Sequence, residues 1–468
     1  MIYKATFESV KEHRVPQWFH DAKLGIFVHW GLYSVPAWAP TSGDIDKQVA
    51  AEGWEAWFAN NAYAEWYLNT LRIDDTPTRR HHIATYGEDF SYDDFAPIFN
   101  QAVQQWKPDE WADLFQKVGA RYVVLTTKHH DGFLLWPSAL AKPYKRGRYA
   151  AERDLVGELT EAVRKRNMHM GLYYSGGLDW SFNETPIRDI VDLPENIVQT
   201  ADFVQYADAH WRELIVRYEP SILWNDIGYP AAADVPQLFA DYYNTITDGV
   251  VNDRWRQRKP DRQRGTDEKI VPPPVPHCDF TTPEYASYDQ IVEKKWEATR
   301  GIGHSFGYNQ NEGPQDYLSV EELVRSFADI VSKNGNLLLD VGPMADGTIP
   351  ELQRQRLLGL GKWLDVNGDA IFGTRPWLTA EGKTNDNIPV RYTQKDGALY
   401  SILLDTPRSQ QVTLHKLRAS EAAVITLLGA DTALEWTQQD DNLTVSLPTL
   451  NNSPAHTLKI SPAPQLLD

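Results

Sequence analysis

Five short apolar runs limit what this chain can fold into more than any other feature: LGIFVHWG (24–31), YVVLTTKHHDG (122–132), HMGLYYSGG (169–177), SILWNDIG (221–228) and NLLLDVGP (336–343). None alternates polar with apolar residues, so none suits a sheet with one wet face; strands covered on both faces read this way. Helical stripes fall between them. Trp111, Leu114, Phe115 and Val118 share one helical face, Leu155, Leu159 and Val163 a second, and Leu323, Val324, Phe327, Ile330 and Val331 a third. The third opens on Ser319-x-x-Glu322, a capping-box pattern. Strands alternating with helices predict an α/β fold, a (β/α)8-like barrel in preference to an open sheet. No GxGxxG or GxxxxGK[ST] fingerprint follows any of the runs, which argues against a nucleotide site.

The runs end in reactive side chains. His29, His129, His130, Asp131, Tyr173, Tyr174 and Asp226 lie at or just past the carboxyl end of a predicted strand. In a parallel barrel those ends open on one face, where active sites are built. That convergence predicts an enzyme. After about residue 370 the pattern changes to short, β-branched, often alternating segments (PVRYT, ALYSILL, QVTLHKL, AAVITLL, ALEWTQ, LTVSLP, HTLKIS) parted by turn signals such as Lys395-Asp396-Gly397. The expected organisation is a catalytic barrel over 1–368 and a C-terminal antiparallel β-sandwich domain over 369–468, packed against it.

Composition removes several function classes. A net charge of −18 over 468 residues argues against nucleic acid or an anionic membrane as partner. The basic cluster Arg254, Arg256, Arg258, Lys259, Arg262 and Arg264 runs against that balance and reads mainly as a solvated loop. One cysteine, Cys278, excludes an internal disulfide and a Cys-rich zinc site. The charged N-terminal stretch has no apolar core of signal-peptide length, and no segment reaches the apolar length of a membrane helix; the expectation is a cytoplasmic protein.

Asp226 ends the strand SILWND with a bare carboxyl group, costly to bury unless it is paired or used. The usual alternative is an ion pair or a helix cap. If Asp226 works on a glycoside, a second carboxyl group is required, one to attack or activate water and one to protonate the departing oxygen. Glu284, Glu297 and Glu312 are candidates, and spacing does not choose among them. Glu65 beside Trp66 pairs an acid with an aromatic, as sugar sites do. Adjacent histidines on a strand face opposite ways, so His129-His130 is weak evidence for a metal and suits hydrogen bonds to a polar ligand equally well.

Nine motifs in order resemble the α-L-fucosidases of glycoside hydrolase family 29: AEWY, TTKHHDGFLLWPS, RDLVGEL, GLYYSGGLDW, LWNDIGYP, VNDRW, DFTTPEY, KWEATRGIGHSFGYNQNEGP and KNGNLLLDVGPMADGTIP. The resemblance runs from WFHDAKLGIFVHWGLYSVPAW (18–38) to AIFGTRPW (370–377). It implies a retaining, exo-acting enzyme that removes terminal α-L-fucosyl residues from oligosaccharides or glycoconjugates, without metal or other cofactor. It further implies Asp226 as nucleophile and Glu284 as acid/base, with Glu297 in reserve. His29, Glu65, Trp66, His129, His130, Tyr173, Trp224, Arg254 and Phe306 match positions that line the fucose pocket. The alternatives are a related glycosidase acting on α-L-galactosides, a carbohydrate-binding barrel, or a metal-dependent hydrolase using His29, His129, His130 and Asp226. A homo-oligomer is the default expectation for its assembly. Residues 256–277 form an insert relative to the resembling members, charged and Pro-rich, on the leaving-group side of the expected pocket.

Overall fold

The computed structural model describes residues 2–144, 147–257, 275–430 and 432–467. Seven parallel strands form one sheet: β1 (Leu24–Val28), β2 (Tyr122–Lys128), β3 (His169–Ser175), β4 (Ile222–Asp226), β5 (Val250–Val251), β6 (Trp296–Gly301) and β7 (Gly335–Val341). Their spatial order is β5-β4-β3-β2-β1-β7-β6. The sheet curls until its edges meet through residues 279–285. Asp279 N–H donates to Val251 O at 2.9 Å, while Thr281 and Tyr285 donate to Lys295 O and Thr299 O at 3.1 and 3.0 Å. This irregular segment bonds both edge strands and closes the ring as an eighth stave, and it carries Glu284.

All five apolar runs form strands, and the three stripes form helices Pro108–Lys117, Leu155–Arg164 and Val320–Ser332, the last opened by the predicted capping box. Strands β5 and β6 escape the sequence pattern. Two residues are too few to show a period, and WEATRG places Glu297 and Arg300 inside a strand where an apolar run is the signal sought.

Period-two alternation inside the barrel positions the site. Phe27, Trp224 and Leu338, with Tyr122 and Tyr173, form a dry core filling the ring. Two residues further along their strands stand His29, Asp226 and Asp340, one layer nearer the carboxyl-terminal face. The apolar layer is therefore the floor on which the polar layer stands.

Beyond helix Glu351–Asn367 come a five-stranded antiparallel sheet opening with Arg375–Lys383 and a three-stranded sheet built from Gln411–His415, Asn442–Ser446 and Trp436–Gln439. Val390, Leu399, Leu403, Val412, Leu443, Val445 and Ile460 make their shared core. The unit docks on helix Val320–Ser332, where Asp329 accepts from Arg391 Nε at 2.5 Å; just beyond the helix, Lys333 pairs with Glu381 at 2.8 Å. Among the described residues no helix is long and apolar enough to cross a membrane.

Candidate active site

A cavity of about 310 Å3 opens at the carboxyl-terminal face, and Asp226, Glu284, His29, Glu65, Trp66, His129, His130, Tyr173, Trp224, Arg254 and Phe306 all line it. The structure thus brings every residue singled out for the pocket to one place, drawn from five barrel strands or their ends, the 279–285 segment and two loops.

Asp226 is 6% exposed. Its Oδ1 accepts from Arg254 Nη1 at 2.8 Å and from the Ile227 amide at 2.9 Å, and its Oδ2 accepts from the Tyr173 hydroxyl at 2.9 Å. Burial pushes this carboxyl up, but the Arg254 charge, His130 and the hydrogen bonds outweigh burial and hold it below the usual aspartate range. The turn after it is strained. Ile227, β-branched, sits at φ 55° and Gly228 at φ 83°, a conformation that costs on the order of 1–3 kcal/mol for a side chain such as isoleucine. Asn225 secures the turn by donating its side-chain amide to Gly228 O and to Arg254 O, both at 2.9 Å. One asparagine thereby fixes Arg254 against Asp226.

Glu284 stands at the pocket mouth, its side chain 34% exposed, with Oε2 accepting from Arg254 Nη2 at 3.0 Å. Enclosure by the pocket walls raises its carboxyl above the usual glutamate range; the Arg254 cation opposes this and the Asp226 charge reinforces it. Tyr285, just after it, also has a positive φ, 50°. Both carboxyl groups are thus followed at once by a left-handed residue. On Arg254, burial favours the neutral form, but the two carboxylates more than offset it and hold the guanidinium proton above the ordinary arginine range.

The histidines present opposite polarities. His130 Nδ1 lies 2.7 Å from Ser175 Oγ, and that hydroxyl donates to Leu178 O at 2.8 Å. A hydroxyl has one proton and a carbonyl has none to give, so Ser175 accepts from His130 and Nδ1 carries the hydrogen. Burial lowers His130 to about 4, leaving Nε2, 3.9 Å from Asp226 Oδ2, as an acceptor. His29 Nδ1 meets Asp340 Oδ1 at 2.6 Å. Burial pushes Asp340 well up and His29 down to about 3, so the pair carries no net charge; one proton lies between Nδ1 and Oδ1, and the other belongs on His29 Nε2 at the pocket, because Asp340 Oδ2 is buried without a partner to receive it. Glu65 accepts from the Gly307 amide at 2.8 Å, and burial pushes it up to about 8. Phe306 packs on the His29 and Tyr63 rings, with centroids at 5.0 and 5.6 Å.

Other candidates fall elsewhere. Glu297 lies beneath the pocket, 0% exposed, accepting from Tyr122 OH at 2.5 Å and Trp224 Nε1 at 3.0 Å. Glu312 caps a loop by accepting from the His304 and Ser305 amides, and Asp131 is held by Tyr92 OH and the Phe133 amide. Tyr174 turns outward to His210 at 3.0 Å. Asp340, Ser175 and Tyr63 were missed. Asp340 had the signal that marks Asp226, an acid ending an apolar run; Ser175 and Tyr63 had none. Of the 256–277 insert, residues 258–274, with Arg258, Lys259, Arg262 and Arg264, lie outside the described residues. Among the described residues no group of three or more His, Cys, Asp or Glu side chains is arranged to hold a metal ion.

A barrel pocket with an apolar floor, two carboxyl groups on one guanidinium and walls that mix imidazoles with aromatics is the site of a glycoside hydrolase. The α-L-fucosidase family model matches residues 1–369 and the α-L-fucosidase C-terminal domain model residues 383–461. The chain belongs to the α-L-fucosidase family. It is 34% identical to rat (Rattus norvegicus) tissue α-L-fucosidase, over 96% of this chain and 89% of that one, and 33% identical to the human (Homo sapiens) tissue enzyme, over 96% and 88%. Its fold matches Thermotoga maritima α-fucosidase in complex with fucose at a TM-score of 0.85 and 44% identity, covering 98% of this chain and 100% of that one.

Proposed function

We propose that this chain is an exo-acting, retaining α-L-fucosidase that releases terminal α-L-fucosyl residues by double displacement. Asp226 attacks the anomeric carbon as the glycosidic C–O bond breaks, and Glu284 gives its proton to the departing oxygen. Glu284, now a carboxylate, takes a proton from water; the water oxygen attacks the same carbon and Asp226 leaves. Two inversions return the α configuration. The observation that carries this reading is the opposite poise of two carboxyl groups on one guanidinium, Asp226 held down and Glu284 held up. A nucleophile must be ionised and an acid must be protonated at the same pH.

The floor of Phe27, Tyr173 and Trp224 closes the pocket below, which favours a terminal residue over an internal one. Phe306 and Trp66 supply an apolar wall for the C6 methyl group, while the donor and acceptor imidazoles read hydroxyl positions. A wall rejects an added hydroxyl by only about 10²-fold, so a weaker activity on aryl α-L-galactosides is expected. The test is Asp226→Gly assayed on an aryl α-L-fucoside. Turnover should vanish, and azide should restore it with β-fucosyl azide as product. An α-configured azide would refute the nucleophile assignment.

A further inference from the structure

Thr282 holds one edge of the Arg254 guanidinium. Its hydroxyl oxygen accepts from Arg254 Nε at 3.0 Å, and its carbonyl oxygen accepts from Nη2 at 3.3 Å. Nη1 is left for Asp226 and the second hydrogen of Nη2 for Glu284, at 2.8 and 3.0 Å. The guanidinium carbon lies over the Trp224 ring, 4.7 Å from its centroid.

An N–H can only donate, so the Thr282 oxygen accepts from Arg254 and its single proton points elsewhere. Asp253 Oδ1 takes that proton at 2.7 Å, and takes the Thr282 amide as well at 3.1 Å. Two neighbours in sequence thus grip one hydroxyl, Asp253 as acceptor and Arg254 as donor.

We infer that Thr282 is a positioning residue for the reaction: it aims the guanidinium at both carboxyl groups at once, and Asp253 keeps the hydroxyl turned to do so. The inference rests on the roles assigned to Asp226 and Glu284 above. A rigid planar fork serves two separate carboxyl groups in one orientation and not in others. Contact with Trp224 leaves the guanidinium free to swing over the ring, and the bond to Nε stops the swing. Without the hydroxyl, Nε competes for a carboxyl group that Nη1 or Nη2 already serves. Thr282 stands two residues before Glu284. The segment that carries the proton donor therefore also aims the cation that holds the nucleophile.

Thr282→Val in the full chain keeps the residue's shape and its backbone carbonyl and changes no charge. The other titratable groups facing Arg254 and the two carboxyl groups, namely His29, His130, Tyr173, Tyr63, Glu65 and Asp253, are left as they are. On an aryl α-L-fucoside, kcat/KM should fall on the order of 10- to 100-fold, the worth of one hydrogen bond to a charged group. The acidic limb of the pH–rate profile should move to higher pH as Asp226 loses part of its hold on the cation. Thr282→Ser restores the hydroxyl and should bring both quantities back toward the wild-type values. A limb that stays in place or moves down in the valine variant, or a serine variant no better than valine, would overturn the inference. Asp253→Asn and Asp253→Ala remove the same charge, but only asparagine keeps an oxygen for the Thr282 proton. Alanine should therefore lose about tenfold more than asparagine, and equal losses would overturn the part given to Asp253. Failure of the unaltered chain to hydrolyse the aryl α-L-fucoside would instead overturn the fucosidase reading.

Discussion

Asp226 and Glu284 are held by the two terminal nitrogens of a single guanidinium, that of Arg254, at 2.8 and 3.0 Å. The cation lets two carboxyl groups face one small pocket while only one of them keeps a proton. Without it, both carboxyl groups rise, and Asp226 needs a higher pH to become ionised. Arg254→Ala should lower kcat/KM on the order of 10²- to 10³-fold, and the acidic limb of the pH–rate profile should move to higher pH. Arg254→Lys keeps the charge but not the fork, so its limb should stay nearer wild type. An unmoved limb in the alanine variant contradicts the assigned role.

The same pair sets the pH profile. In the proposed mechanism Asp226 must be ionised and Glu284 protonated. kcat/KM should therefore rise as pH climbs through the Asp226 titration, below the usual aspartate range, and fall as Glu284 loses its proton above the usual glutamate value. Asp226→Asn removes the like charge that raises Glu284 and leaves Arg254 to act on Glu284 alone. Both changes point down. Carbon-13 NMR of labelled glutamate should show Glu284 titrating lower in that variant, and an upward shift would sink the coupling.

How much of this was legible in the sequence depends on which physical signal each residue leaves there. Strands buried on both faces announce themselves by unbroken apolar runs, so β1–β4 and β7 were readable, and Asp226 with them. Strand β6 was not, because Glu297 is buried there by two hydrogen bonds from partners distant in sequence, Tyr122 and Trp224. Glu284 rides on a segment with no period at all; its bonds to β5 and β6 exist only once the barrel closes. The family motifs identified it, and periodicity did not. Ser175 shows the limit most clearly: its importance is the direction of one proton.

That direction can be measured. In the wild-type enzyme at neutral pH, nitrogen-15 NMR should find His130 neutral with hydrogen on Nδ1 and a bare Nε2. Ser175→Ala removes the acceptor that selects this tautomer. The ring then divides between forms, and the Nε2 acceptor offered to a sugar hydroxyl is lost part of the time. A decrease of about tenfold in kcat/KM is expected, the worth of one hydrogen bond. Finding Nε2–H in the wild type would refute the assignment.

Glu297 offers a test that separates stability from catalysis. It is fully buried, and burial pushes its carboxyl up to about 7 against hydrogen bonds from Tyr122 and Trp224 that pull it down. Between the ordinary value of 4.5 and about 7, the folded state keeps a proton that the unfolded chain has released. The unfolded state thus binds fewer protons, and stability falls as pH rises through this window, by on the order of 3 kcal/mol in total. Glutamine at this site can still accept from Trp224 and can donate to the Tyr122 oxygen, without a group that titrates. The thermal midpoint of Glu297→Gln should accordingly depend less on pH between 5 and 8 than that of the wild type. Its relative activity on good and poor leaving groups should stay as in the wild type, whereas Glu284→Ala should lose far more on the poor ones. If Glu297→Gln shows the leaving-group dependence instead, the proton donor is Glu297 and the pocket-mouth assignment of Glu284 falls.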